Sequence, residues 1–274
     1  MTRIITRGLK EDKDGIEGYI AHPERTEKGP ALLLVHQHSG LTGYLKTAAY
    51  KFAQLGYTAV IPNLYHMLGY PAEQHIDKGT EIQNKTPDPD FVKVIDRGWR
   101  YCLSRNDVDG ARVGVIGYCM GGRIGIHFVA ATPAARAFVA YYPSVADEPP
   151  TRIRPRHPND AAREIKCPSM VLYGGNDRTS TFPVQQKVME SFHANGQPLE
   201  WHYFHFGNHG FASTESDGYQ PYLADLTWPL VTEFLGRELI GPEWPQRTQK
   251  TQNEIRNVGA RFIAPSLARQ SQFS

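Results

Sequence analysis

Short apolar segments of strand length alternate with segments of helical pattern from residue 31 to residue 235, and this alternation constrains the fold most strongly. Ala31–His36 is a largely apolar run, as expected of a strand that is buried on both faces of a sheet. Tyr44–Leu55 then has helical spacing, and Gly56 stands where a helix commonly ends. Strands that alternate with helices form a parallel sheet covered on both faces. The pattern therefore predicts an α/β fold with a mostly parallel central sheet.

Two segments interrupt this alternation, and a third follows it. Tyr65–Pro89 has scattered Gly, Pro and His without periodicity, and Pro143–Glu164 is rich in Pro and Arg. Because long aperiodic segments inside a domain are usually functional, we predict that both are irregular and that Pro143–Glu164 is a lid or surface insertion. We predict one domain over residues 1–240. We also predict that residues 241–274 form a C-terminal extension. It would pack either on a neighbouring subunit, giving a homodimer, or on the same domain.

The composition excludes several classes of protein. Thirty Lys and Arg against 28 Asp and Glu leave a net charge of +2, which is too small to indicate a nucleic-acid surface. The longest aliphatic run, Ala31–Val35, is far shorter than the about 20 residues of a membrane-spanning helix. The three cysteines, Cys102, Cys119 and Cys167, cannot all pair within one chain, and the N-terminal residues contain no apolar signal segment. We expect a reduced cytoplasmic protein without nucleic-acid or membrane partners.

The segment from Val113 to Arg123 carries the strongest functional signal, because it joins a buried strand, a glycine-rich turn and a helix. The turn has the sequence GYCMGG, the pattern of a nucleophile elbow with Cys in place of Ser. Gly117 and Gly121 flank the cysteine, where larger side chains would collide across the sharp turn. The turn should present Cys119 at the start of a helix, whose partial positive charge favours a thiolate. We predict Cys119 as a nucleophile; the alternative is a structural cysteine.

The partners that such a nucleophile needs follow in the order acid and then histidine. Asp177 comes directly after one buried strand, and His209 follows the next strand. All three residues should therefore lie at the carboxyl edge of the sheet, where open α/β sheets have their sites. The sequence predicts a triad of Cys119 as nucleophile, His209 as base and Asp177 as the group that orients the histidine. Taken singly, Asp177 could be a helix N-cap and His209 an ordinary loop residue.

Two other polar clusters are weaker signals. His36 and His38 are separated by one residue and could ligate zinc with a third residue, but no third ligand has a clear spacing. We therefore predict neither a metal nor an organic cofactor. Arg152, Arg154 and Arg156 form a basic cluster that is either solvated surface or a site for an anionic ligand.

These motifs resemble the dienelactone hydrolase family of α/β-hydrolases over roughly residues 15–237. The resemblance rests on the cysteine elbow, on the segments GGND at 174–177 and NHGF at 208–211, and on the segment from Gly56 to Tyr65. It implies an α/β-hydrolase fold, a small-molecule ester or lactone substrate, and an oxyanion hole made by the backbone N–H groups of His38 and Met120. The candidate substrate-binding residues within these motifs are Tyr65, Tyr118 and Phe211.

The chain departs from the family pattern at two positions near the predicted site. Family members usually have a glutamate that interacts with the resting thiol, and Gln37 stands in its place beside the nucleophile. Because an amide cannot accept the thiol proton, we expect His209 to deprotonate Cys119 directly. Members that cleave dienelactones have an arginine shortly after the catalytic histidine, where this chain has Ser213. Selectivity for a carboxylated lactone is therefore not expected unless the Arg152–Arg156 segment covers the site.

The leading hypothesis is hydrolysis of an ester or lactone through a thioester acyl-enzyme. A second hypothesis keeps the triad but changes the reaction to acyl transfer or other carbonyl chemistry, with the two irregular segments excluding water. A third is a binding protein without catalytic activity, which predicts that Cys119 reacts with alkylating agents no faster than Cys102 or Cys167.

Overall fold

A β-sheet forms the centre of the computed structural model, which describes residues 2–71 and 75–241. Its described strands are β1 (Ile4–Leu9), β2 (Gly18–Pro23), β3 (Gly29–Val35), β4 (Thr58–Pro62), β5 (Val108–Tyr118), β6 (Ala137–Tyr141), β7 (Ser169–Gly174) and β8 (Leu199–Phe204). Their order across the sheet is β1-β2-β4-β3-β5-β6-β7-β8. The strands from β4 to β8 in this order are mutually parallel, and β1 and β2 form an antiparallel edge. The predicted mostly parallel sheet is confirmed.

Helices cover both faces of this sheet. They are α1 (Glu11–Asp14), α2 (Gly43–Gln54), α3 (Leu64–Met67), α4 (His75–Lys85), α5 (Asp88–Ser104), α6 (Met120–Ala130), α7 (Pro158–Ala162), α8 (Phe182–His193) and α9 (Pro221–Leu239). Gly114 of β5 faces Leu239 of α9, whereas Gly117, on the other face, lies against α6. Phe52 of α2 packs on Trp228 of α9, with ring centroids 4.7 Å apart, so these two helices share a face. Helices α5, α6, α7 and α8 pack on one another in sequence.

The prediction that Tyr65–Pro89 is irregular is wrong, since α4 and parts of α3 and α5 lie within it. Helix α4 is polar and contains Gly79, which lowers its intrinsic helix propensity. A Cβ at Gly79 would collide with the carbonyl oxygen of His38, so this helix approaches the loop after β3 closely. Tertiary packing of that kind outweighs propensity and cannot be read from the local pattern. Helix α5 has Pro89 in its first turn, where proline is tolerated because the N–H has no helical partner.

Pro143–Glu164 is irregular as predicted, except for the five residues of α7. Its first residues are tied to the sheet. Tyr173 of β7 donates a hydrogen bond to the carbonyl oxygen of Pro143 at 2.7 Å, and the Ser180 hydroxyl donates to that of Val145 at 2.7 Å. The beginning of the segment is therefore fixed against the sheet edge that carries the site.

The strand order reverses beside β3, and this reversal creates the position of the site. The chain passes from β3 to β4 on one side and later to β5 on the other. Loops that leave such a point diverge and leave a crevice at the carboxyl edge. Gly121, in the first turn of α6, packs on the end of β3 so closely that a Cβ would collide with the carbonyl oxygens of Val35 and His36. The loop after β3 therefore lies directly beside the turn that carries Cys119.

Three predictions are not tested by this architecture. Beyond Gly241, the predicted C-terminal extension lies outside the described residues. The predicted homodimer contact of this extension therefore stays a prediction. Among the helices that the structure describes, none is both long and apolar enough to cross a bilayer. The cytoplasmic location stays a prediction.

Replacing Gly121 by Ala should lower the free energy of unfolding by about 1–3 kcal/mol, because the added methyl group overpacks against two backbone carbonyls that cannot move aside. Thermal unfolding followed by circular dichroism measures this effect. Gly8→Ala is the matched control, since a Cβ at Gly8 would meet its nearest neighbour, the carbonyl oxygen of Gly18, only at 4.0 Å. Equal melting temperatures for the two variants would contradict the close packing described here.

Candidate active site

Cys119 lies at the turn between β5 and α6 in a strained backbone conformation, with φ 53° and ψ −115°. A positive φ at a non-glycine residue costs about 1–3 kcal/mol, and it persists only where the surroundings impose it. Here the Cys119 N–H donates to the carbonyl oxygen of Tyr141 at 3.0 Å. The Cys119 carbonyl accepts from the N–H groups of Arg123 at 3.1 Å and Ser144 at 3.0 Å. The turn is thus held by β6, by α6 and by the segment that follows β6.

The three side chains of the predicted triad are in contact. His209 Nε2 lies 3.0 Å from Cys119 Sγ, and His209 Nδ1 lies 2.8 Å from Asp177 Oδ2. The other carboxylate oxygen of Asp177 accepts the backbone N–H groups of Thr179 at 2.8 Å and Ser180 at 2.9 Å. Asp177 therefore caps the turn that follows it with one carboxylate oxygen and orients His209 with the other. Because the first oxygen is fixed, the second is held toward His209.

The electrostatics of the site favour separated charges on the sulfur and the imidazole. Burial opposes ionisation of Cys119, but the facing His209 and then His38 outweigh it and lower the pKa of the thiol to about 5. Burial also opposes the charged form of His209, but the charges of Cys119 and Asp177 and their hydrogen bonds raise its pKa to about 10. Between these values the resting pair is a thiolate and an imidazolium.

Gln37 is buried and does not bond to the sulfur. Its Nε2 donates to the Ser39 hydroxyl at 3.1 Å and to the Ser213 hydroxyl at 3.2 Å. The bond to Ser213 links the loop after β3 to the segment after His209. The two positions at which the sequence departs from the family pattern are therefore hydrogen-bonded to each other, as an uncharged pair.

The two histidines of the loop after β3 have different environments. His36 is buried, and its Nε2 accepts the N–H of Leu64 at 3.1 Å while its Nδ1 lies 2.7 Å from the carbonyl oxygen of Gln37. Both of its ring nitrogens are therefore engaged in fixing the loop. His38 instead directs Nδ1 toward Cys119 Sγ, at 4.0 Å. Within the described part of the chain, no three or more His, Cys, Asp or Glu residues are grouped so that they could hold a metal ion.

Tyr65 supports both residues that were predicted to form the oxyanion hole. Its hydroxyl donates to the carbonyl oxygen of His38 at 2.7 Å and lies 3.6 Å from Met120 Sδ. Met120 is the first residue of α6, where a backbone N–H has no partner within the helix. These contacts fix the chain on both sides of the sulfur, and the oxyanion hole itself stays a prediction.

The three candidate substrate-binding rings are buried, and their contact with substrate stays a prediction. Tyr65 and Phe211 have no exposed area, and Tyr118 is 2% exposed. Phe211 packs on Tyr142, whose ring lies edge-on to His209 with centroids 5.3 Å apart. Tyr118 lines a cleft of about 390 Å³ between α2 and α9. Tyr142 was missed from the sequence, although its position directly after β6, at the carboxyl edge of the sheet, was a usable signal.

The basic cluster of the Pro143–Glu164 segment lies over α6. Arg154 and Arg156 line a small cavity together with Arg123, near the start of that helix. Arg154 pairs with Glu148 at 3.5 Å and Arg156 with Glu164 at 2.6 Å, and Arg123 pairs with the buried Asp88. In the described residues, no arginine side chain forms a hydrogen bond or ion pair with the side chain of Cys119, Asp177 or His209.

Iodoacetamide at pH 6 should label Cys119 and leave Cys102 and Cys167 unlabelled, because burial raises the pKa of each of the latter thiols to about 12. The rate at Cys119 should fall only as the pH drops through about 5. Peptide mass spectrometry after timed quenching measures all three sites. Labelling in denaturant is the control and should modify all of them. A midpoint for Cys119 near the ordinary thiol value of about 8.5 would contradict the resting ion pair.

Comparison with known proteins gives a consistent picture. Residues 16–239 match the model of the dienelactone hydrolase family. A carboxymethylenebutenolidase from a Pseudomonas species is 29% identical over 245 residues, which cover 85% of this chain and 96% of that protein. A protein of Methylorubrum extorquens named "Putative carboxymethylenebutenolidase" is 28% identical over 227 residues, which cover 81% of this chain and 77% of that protein.

The same similarity extends to a solved structure. The crystal structure of a "Putative Dienelactone Hydrolase" from Klebsiella pneumoniae has a TM-score of 0.77 and 25% identity, and it covers 86% of this chain and 99% of that chain. The predicted α/β-hydrolase fold is confirmed.

Proposed function

The chain belongs to the dienelactone hydrolase family and is a hydrolase of the ester and lactone class, and we propose that it cleaves its substrate through Cys119, His209 and Asp177. The family match spans every described element from β2 to α9. The observation that supports the catalytic assignment is the continuous contact from carboxylate to imidazole to sulfur, at 2.8 Å and 3.0 Å. This order of contacts is the geometry by which a histidine activates a nucleophile.

The reaction begins with attack of the Cys119 thiolate on the acyl carbon. The carbonyl electrons move to oxygen, and the N–H groups of His38 and Met120 donate to this oxyanion, at about 3 kcal/mol of barrier lowering per donor. When the intermediate collapses, the bond to the alcohol oxygen breaks, and protonated His209 gives its proton to that oxygen. The products of this half-reaction are a thioester on Cys119, the free alcohol and a neutral His209.

Water completes the cycle. Neutral His209 accepts a proton from a water molecule, whose oxygen attacks the thioester carbon. Collapse of the second intermediate breaks the C–S bond and releases the carboxylic acid and the thiolate, while His209 keeps the proton. Asp177 holds the Nδ1–H group throughout and stabilises the imidazolium in both half-reactions. The resting ion pair is regenerated.

The sulfur limits which esters react well. In the first intermediate the thiolate and the alkoxide compete to leave, and a low-pKa thiolate leaves more readily than an ordinary alkoxide. Forward reaction is therefore favoured when the alcohol is an enol or a phenol, whose oxyanion is also stable. We propose enol lactones and aryl esters as the substrate class.

The surroundings of the triad favour an uncharged acyl group. Gln37 and Ser213 are neutral and bonded to each other, and Arg154, Arg156 and Arg123 are held in other ion pairs. Because these arginines are paired elsewhere and the His209 imidazolium is paired with Asp177 and the thiolate, a substrate carboxylate would lose its hydration at the site without gaining a bidentate arginine bond.

Cys119→Ala should reduce hydrolysis of p-nitrophenyl acetate and small enol lactones by at least about 1,000-fold, because it removes the nucleophile. Spectrophotometric initial rates measure this loss. Cys167→Ala is the matched control, since Cys167 is buried at the start of β7 and should leave the rate within about two-fold. Undiminished turnover in the Cys119 variant would refute the assignment. Added amines or thiols distinguish hydrolysis from acyl transfer, because acyl transfer would yield amides or thioesters in place of the acid.

The kcat/KM of an enol lactone should be at least about ten-fold higher than that of its ring-carboxylated analogue, because the carboxylate loses its hydration without gaining an arginine partner. The carboxamide analogue is the control for size and should behave like the neutral lactone. Initial rates over a range of substrate concentrations give the comparison. A preference for the carboxylated compound would mean that an arginine reaches the bound substrate.

A further inference from the structure

Two imidazoles, from different loops, lie next to the sulfur of Cys119. His209 follows β8 and lies 3.0 Å from Sγ through Nε2, whereas His38 follows β3 and lies 4.0 Å from Sγ through Nδ1. His209 is paired with Asp177 through its other nitrogen. The His38 side chain is half-buried, at the boundary between the sulfur and solvent.

The backbone fixes the position of His38. Tyr65 donates to its carbonyl oxygen at 2.7 Å, and α4 packs on the same oxygen so closely that Gly79 has no room for a Cβ. The neighbouring His36 is anchored to Leu64 through Nε2. These contacts hold the backbone of His38 in a position from which its ring reaches the sulfur.

The other polar side chain of this loop does not compete for the sulfur. The Gln37 amide is bonded to Ser39 and Ser213, at 3.1 Å and 3.2 Å. Among the hydrogen bonds of the described residues, those that reach Cys119 Sγ come from His38 and His209. A second imidazole, besides that of His209, is therefore within reach of the thiolate.

We propose that the His38 side chain is a second hydrogen-bond donor to the Cys119 thiolate, and that together with protonated His209 it stabilises the negative charge on sulfur in the resting enzyme and again when the thioester is cleaved. This inference rests on the proposed function, in which Cys119 is the nucleophile. With its proton on Nδ1, the His38 ring donates to sulfur in either charge state, and the protonated ring adds a positive charge. His38 transfers no proton in either half-reaction, so the balance of the cycle is unchanged.

The remaining ionisable groups around the sulfur leave this function to the histidines. The groups that face Cys119 besides His38 are His209, with Asp177 behind it, and the phenols of Tyr65, Tyr142 and Tyr173. Burial raises the pKa of each phenol, so all three stay neutral over the working range of pH. A change at His38 should therefore appear directly in the ionisation of Cys119.

The test is the pH dependence of iodoacetamide alkylation at Cys119 in His38→Phe and His38→Gln. Phenylalanine keeps a ring but removes the donor, and glutamine keeps a neutral N–H donor. We expect the alkylation midpoint to rise by about one pH unit in His38→Phe, so that the rate near pH 5.5 falls roughly three-fold, with a smaller rise in His38→Gln. At pH 9 all rates should agree within about two-fold. The matched control is His193→Asn, an exposed histidine at the far end of α8, which should not move the midpoint.

Hydrolysis measured on the same variants separates the two proposals. An unchanged midpoint in both His38 variants overturns the second-donor function, whatever the esterase rates. A raised midpoint in the His38 variants, together with a wild-type protein that cleaves neither esters nor lactones, supports the donor function and refutes the proposed activity. If His38→Phe fails to fold, as judged by its melting temperature, His38→Ala, which also removes the donor, takes its place, and a wild-type midpoint in that variant overturns the proposal.

Discussion

The contact between the Cys119 sulfur and the His209 imidazole is the interaction on which the site depends. Two opposite charges so far from water are stable only when each has further partners. The imidazolium has Asp177, whose second oxygen is in turn bonded to the N–H groups of Thr179 and Ser180. The thiolate lies at the N-terminus of α6, whose partial positive charge stabilises it. Asp177 and the two N–H groups follow β7, α6 follows β5 and His209 follows β8, so the ion pair is assembled from the carboxyl ends of three strands.

The same dependence explains why the chain accepts strain at the elbow. Cys119 has a positive φ, and flanking glycines allow α6 to approach β3 without a side chain between them. A relaxed turn would move Sγ away from both His209 and the loop after β3. The hydrogen bonds from Arg123 and Ser144 to the Cys119 carbonyl offset part of the strain and fix the direction of the sulfur. Packing and hydrogen bonds around Cys119 thus maintain an unfavourable backbone conformation at this one residue.

Two substitutions relative to the family pattern form one local unit. Gln37 and Ser213 are far apart in sequence, and the hydrogen bond between them joins the loop after β3 to the segment after His209. A charged residue at either position would leave a buried, unpaired charge unless its partner changed too. The proposed preference for uncharged substrates rests on this neutral pair, whose hydrogen bonds also keep the Gln37 amide away from the sulfur.

The sequence alone determined the mostly parallel sheet, the elbow and the order of Cys119, Asp177 and His209, because periodicity, glycine spacing and strand ends are local features that determine which edge a residue occupies. It did not determine α4, the burial of Tyr65 and Phe211, or the approach of the His38 ring to sulfur. Those depend on contacts between segments distant along the chain: a polar helix stabilised against a loop, rings enclosed by neighbouring strands, and a side-chain direction set by backbone packing. Only the tertiary structure decides such contacts, since their energies come from partners that no local pattern specifies.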